Sequence, residues 1–181
     1  EAEPGNPRAL TFLGMVYHGN NESALAAASY EAALSGGATD PQTPYLLGLI
    51  YEEWGRSPAA AENLKLAGAR QSDYAPAHYH LGRVLLDAVQ LDEAVESLRR
   101  SIELAPDDAD MHAALGRALR QAGHMDEAAA TLRRALQIDP QHTAAHQLLG
   151  LTLQEQGSAE AAEHLQHRLA RGPEEEHGER P

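Results

Sequence analysis

The chain of 181 residues carries 27 acidic against 14 basic side chains, a net charge of −13 with histidines neutral, so nucleic acid and anionic membrane surfaces would repel it. Apolar residues make up 43%, enough for a packed core. Only 4% are aromatic and alanine is abundant, so that core must form by close approach of thin elements. Cysteine is absent, which excludes disulfides, thiolate metal sites and a cysteine nucleophile.

Residues 1–6 read as a short N-terminal extension. Glu1-Ala2-Glu3-Pro4-Gly5 has neither the charge nor the apolar stretch of a signal peptide. A cytoplasmic location is favoured, with a periplasmic one if a leader before Glu1 has been removed. No apolar run approaches the roughly 20 residues that a membrane span needs. Of the basic residues only Lys65 is lysine, a bias of genomic composition for which a bacterial source is expected.

From there a repeat organises the chain. Leu-Gly recurs at Leu13-Gly14, Leu47-Gly48, Leu81-Gly82, Leu115-Gly116 and Leu149-Gly150, every 34 residues. Three residues after each glycine stands Tyr17, Tyr51, Leu85, Leu119 or Leu153, and twelve after it stands Ala26, Ala60, Ala94, Ala128 or Ala162. Sixteen after it come Tyr30, Leu64, Leu98, Leu132 and then Gln166. Leu, Gly and Tyr/Leu at i, i+1 and i+4 share one helix face, and the glycine lets a second helix approach closely.

The units read as 7–40, 41–74, 75–108, 109–142 and 143–171, followed by an acidic tail over 172–181 expected to be disordered. First helices are predicted near 7–20, 41–54, 75–88, 109–122 and 143–156, and second helices near 22–35, 57–70, 91–104, 125–138 and 158–171. Within the second unit, Gly55-Arg56-Ser57-Pro58 reads as a turn with a Ser57 cap, and Gly123 and Gly157 occupy the matching place. Asp40-Pro41, Tyr74-Ala75-Pro76, Pro106-Asp107-Asp108 and Asp139-Pro140 separate the units. The last second helix slips by one residue, and Glu163, Gln166 and His167 give it the polar outer face of a cap.

On these residues the chain resembles the tetratricopeptide repeat (TPR) family, most closely in the stretches from His80 and from Leu115. The resemblance implies an all-α fold, a right-handed α-solenoid of antiparallel helix pairs forming a TPR superhelix. The bulky position three before each Leu is occupied here by Leu10, Pro44, His78, His112 and His146, and the closing proline is replaced by Ala38 and Ser72, which predicts looser exits from the first two units. Pentatricopeptide repeats, the RNA-reading cousin, are opposed by the unbroken 34-residue spacing and the negative charge.

No nucleophile elbow, phosphate loop, zinc-protease motif or dinucleotide fingerprint occurs, so no enzymatic activity and no cofactor is expected. His142/His146 and His164/His167 have spacings that place two rings on one helix face, yet neither pair has a third ligand near in sequence. The expectation is no metal site, with His78, His112 and His146 filling the bulky slot. Tyr17, Tyr30, Tyr51 and Phe12 are predicted to be core, and Trp54 to pack near Pro58.

Function is then expected on the inner surface of the first helices. The resemblance implies a partner-binding groove that includes Thr11, Met15, Tyr45, Leu49, Glu52, Tyr79, Arg83, Leu86, Arg117 and Arg120. Its first part is apolar and aromatic, and its middle, with Tyr79, Arg83, Arg117 and Arg120, is cationic in an acidic chain. Three arginines beside a tyrosine suit a carboxylate, so an extended peptide or helix of acidic character is the expected ligand. The heat-shock chaperone-tail binders use a Lys/Asn/Asn/Lys/Arg clamp, and here only arginines fit it. The chain therefore reads as a non-catalytic protein-interaction scaffold. Alternatives are a homo-oligomer built by stacking the exposed end of the first or fifth unit, and a regulatory piece of a larger enzyme or envelope-assembly protein.

Overall fold

A computed structural model describes residues 5–157. Among these residues the secondary structure is entirely helical: α1 (Pro7–Gly19), α2 (Ser23–Ser35), α3 (Gln42–Glu53), α4 (Ser57–Arg70), α5 (Ala75–Asp87), α6 (Leu91–Leu104), α7 (Ala109–Gln121), α8 (Met125–Ile138) and α9 (Thr143–Glu155). The observed ends differ from the expected ones by at most one residue. The predicted helix over 158–171, the tail 172–181 and residues 1–4 lie outside the described residues. No helix among those described is long and apolar enough to cross a membrane.

The chain divides into two compact units, Glu1–Pro106 and Asp107–Pro181. In the first, α1 and α2, α3 and α4, and α5 and α6 pack as pairs, with α2 against α3 and α4 against α5. In the second, α8 packs between α7 and α9, which also touch.

The repeated glycine shows why the pairs form. A Cβ built on Gly14 would lie 2.4 Å from Tyr30, and one on Gly48, Gly82 or Gly116 would lie 2.8, 2.5 or 2.5 Å from Leu64, Leu98 or Leu132. Each glycine therefore lacks the Cβ that would clash with the second helix at this separation. Behind it the alanines at Ala26, Ala60, Ala94 and Ala128 are fully buried. In the first unit Ala26, Ala27, Tyr30, Leu47 and Ile50 form one core cluster, and in the second Ala129, Leu132, Ala135, Ala145, Leu149 and Leu153 form another.

The turn inside each pair is the same Schellman closure. Amides of Glu22, Arg56, Gln90 and His124 donate to the carbonyls of Tyr17, Tyr51, Leu85 and Leu119 at 2.8–2.9 Å. The residue before each donor must then adopt positive φ: Gly55 at 66° and Gly123 at 85°, but Asn21 and Val89 at 60° each. Asparagine tolerates this region, whereas a β-branched valine is strained there. The Schellman donor also serves as the N-cap of the second helix, so α4 begins at Ser57 with Arg56 before it and no side-chain cap. The expected Ser57 cap is thus corrected.

First helices are capped differently, again by a residue that recurs every 34 positions. Asn6 accepts from the Arg8 amide, Asp40 from Thr43 at 2.7 Å, Asp108 from Met111 at 3.1 Å, and the His142 Nδ1 from Ala145 at 3.1 Å. Tyr74, the fifth member of the series, provides no such bond. The exits expected to be looser, at Ala38 and Ser72, each carry hydrogen bonds. Ala38 is buried and its amide closes on the Ala33 carbonyl at 2.9 Å, while the Ser72 carbonyl accepts from Arg100 and contacts His78 Nε2, both at 3.3 Å.

Candidate interaction surface

Tyr45, Leu49 and Glu52 follow one another at i, i+4 and i+7, so they line one face of α3; Tyr79 and Arg83 share a face of α5 at i, i+4. In the first unit these two faces meet. The His80 Nδ1–H donates to Glu52 Oε2 at 2.8 Å, and Arg83 Nη2 approaches Glu52 Oε1 at 3.3 Å. A carboxylate held between two donors leaves the α3–α5 surface locally balanced.

Rings pack on one another beside that carboxylate. Tyr45 packs edge-on against Tyr74 at 5.0 Å and against His80 at 5.8 Å, Tyr79 meets His80 at 5.2 Å, and the Arg83 guanidinium stands 5.6 Å over the Tyr79 ring. Desolvation raises the Tyr45 pKa, with smaller contributions from Tyr74 and Glu52, and desolvation likewise raises that of Tyr74. Both hydroxyls therefore stay protonated and can donate to a ligand. Tyr45, Leu49 and Tyr79 are half-buried, outside the fully buried core.

The other positions implied for the groove behave differently. Leu86 is 2% exposed and belongs to the core, so its expected place in the groove is corrected. Thr11 is buried too, its hydroxyl bonded to that of Thr43 at 2.8 Å. Met15 is half-buried against the Tyr30 cluster. Thr11, Met15, Arg8, Phe12, Asp40 and Gln42 help line an open recess of about 600 Å³. In the second unit Arg117 is exposed, and Arg120 pairs with Glu155 while its Nε is buried without a hydrogen-bond partner.

Three further expectations find their outcome here. Tyr30 is fully buried and Tyr17 and Tyr51 are half-buried beside it, but Phe12 is 67% exposed, which corrects its assignment to the core. Trp54 meets the Tyr51 ring at 5.9 Å, with the Arg56 guanidinium 4.9 Å over it. His142 is occupied on both ring nitrogens, Nδ1 capping α9 and Nε2 contacting Asp110 at 3.0 Å, while His146 Nε2 reaches the Pro140 carbonyl at 3.0 Å. Among the described residues no three His, Asp or Glu side chains are placed to hold a metal ion.

The expected site omitted Tyr74 and His80. Their signal was available only in part: Tyr74 stands in the capping series, where an aromatic residue is out of place, and His80 adjoins Tyr79. Neither spacing says that both rings close around Tyr45.

Models of the tetratricopeptide repeat match residues 45–109 and 79–143, with further repeat models at 119–179 and 7–35. None of the curated proteins matches. Among solved structures, MamA protein aligns with a TM-score of 0.84 at 24% identity over 91% of both chains. A MamA from Desulfovibrio magneticus RS-1, residues 41 to the end, aligns at 0.83 with 21% identity over 91% of this chain and 94% of that one. YrrB, described as a TPR protein with an unusual peptide-binding site, aligns at 0.82 with 24% identity over 92% of this chain and 86% of its own.

Proposed function

Because the chain belongs to the tetratricopeptide repeat family, we propose that it is a non-catalytic adaptor whose inner surface binds an extended peptide or a helix from a partner protein. The observation that carries this reading is the ring cluster of Tyr45, Tyr74, Tyr79 and His80 around the Glu52–Arg83 pair. Large rings held half-buried, at positions no core packing requires, provide rigid contact area with little ordering cost on binding. The peptide-binding site described for YrrB supports the same reading.

The preferred ligand is acidic. Arg83 is 44% exposed and Glu52 engages one of its nitrogens, so the rest of the fork can turn to a ligand carboxylate through charge-assisted bonds. Basic ligands are disfavoured beside this guanidinium. Selection from a library of displayed peptides tests this. The wild-type chain should enrich acidic sequences, and Arg83→Ala should weaken the selected peptides at least tenfold at unchanged helicity. Unchanged binding removes the carboxylate contact, and enrichment of basic peptides overturns the ligand assignment.

A further inference from the structure

The surface of α1 opposite α2 is apolar, and its exposure is anomalous within the repeat. Val16 is 58% exposed, whereas Ile50, Val84 and Thr152 at the equivalent positions are 0, 3 and 0% exposed. Leu13 is 41% exposed, against full or nearly full burial of Leu47, Leu81 and Leu149. Ala9 is exposed where Thr43, Ala77 and Ala145 are buried, and Phe12 joins the same patch. In α3, α5 and α9 this face lies toward the preceding second helix, α2, α4 or α8, which packs on it. Among the described residues α1 has no such neighbour. Its face is therefore a repeat-stacking surface with the chemistry of a protein interface, left uncovered by the described residues.

We infer that this face is a homodimer interface, with α1 of one protomer packed on α1 of a second copy about a two-fold axis. The occupant follows from charge and register. The chain carries −13, yet Pro7–Gly19 contains no carboxylate, and it is the only described helix without one. Two copies can meet there without apposing the acidic groups that elsewhere keep them apart. Ala9, Phe12, Leu13 and Val16 follow one another at i, i+3, i+4 and i+7, so the stripe is symmetric about a point between Phe12 and Leu13. An antiparallel pairing through that point sets small Ala9 against the partner's Val16, sets Phe12 against the partner's Leu13, and opposes the helix dipoles.

Tyr45, Tyr79 and Arg83 lie on other helices, so substitutions at Phe12 and Val16 leave the ring cluster itself unchanged.

Light scattering on the full chain across a concentration series tests it. The mass should rise from 19.5 kDa toward twice that value, and Phe12→Glu with Val16→Glu should raise the dimer dissociation constant at least tenfold. A mass of one chain throughout, a dimer insensitive to both substitutions, or growth beyond two copies overturns the inference. Cross-linking needs only near-neutral variants. A chain carrying Ala9→Cys, mixed with one carrying Val16→Cys, should form the mixed disulfide faster than either forms its own, and the sequence has no other cysteine to compete. Equal rates for all three products would rule out the antiparallel register.

Discussion

The two units share a backbone plan and differ in what they mount on it. All eight aromatic side chains, from Phe12 to Tyr79, fall in the first unit, and Asp107–Pro181 contains none. At equivalent inner positions the first unit has Tyr45 and Tyr79, and the second Ala113 and Gln147. The second nevertheless builds its core cluster from alanine and leucine. Aromatic residues are thus unnecessary for helix pairing in this chain, and their concentration at Tyr45, Tyr74 and Tyr79 sets the first unit apart.

Two pairs of variants and one single substitution probe that contrast. The largest expected effect comes from the interhelix glycines. Gly14→Ala drives a Cβ into a rigid tyrosine ring, whereas Gly116→Ala meets the movable end of Leu132. Each should lower urea-unfolding stability, by about 1–3 kcal/mol, with Gly14→Ala the more damaging. The reverse order would show that the ring is not what limits the approach.

A smaller pair exploits the Schellman turns. Val89→Gly relieves a valine at φ 60° and should stabilise the chain by about 1 kcal/mol, and Gly123→Val should destabilise it by about 1–2 kcal/mol, both read from thermal melts. The smallest effect lies in the Tyr30 hydroxyl, which is buried without a hydrogen-bond partner where the second unit has Leu132. Tyr30→Phe should be neutral or stabilising by up to about 1 kcal/mol near pH 7. Burial pushes the Tyr30 pKa up to about 12, above the ordinary value of about 10. The neutral phenol's contribution is therefore complete below pH 10 and is lost as pH rises toward 12. Urea midpoints of the Phe variant should fall less over that range than those of the parent.

Much of this was legible in one dimension because the repeat reports the same contact several times. A glycine followed sixteen residues later by Tyr30, Leu64, Leu98 or Leu132 states which side chain crosses which helix. What a single repeat position could not report was the company it keeps. Leu86 and Arg120 share a place in the register, yet one is core and the other is paired with Glu155. The Phe12 and Val16 positions look like core by pattern and lie exposed because nothing described covers α1. His142 resembled a metal ligand by its spacing to His146, but the capping series of Asn6, Asp40 and Asp108 explains it better.

The sequence by itself determined the helix pairs, their turns and the glycines between them, because those depend on contacts within a few tens of residues and on backbone geometry that recurs. Only the tertiary structure decided that Glu52 lies between His80 and Arg83, that Tyr74 leaves its capping role to pack on Tyr45, and that the described residues leave the stacking face of α1 uncovered. Those outcomes depend on which neighbouring helix comes to rest against a given side chain, and spacing along one helix carries no information about that.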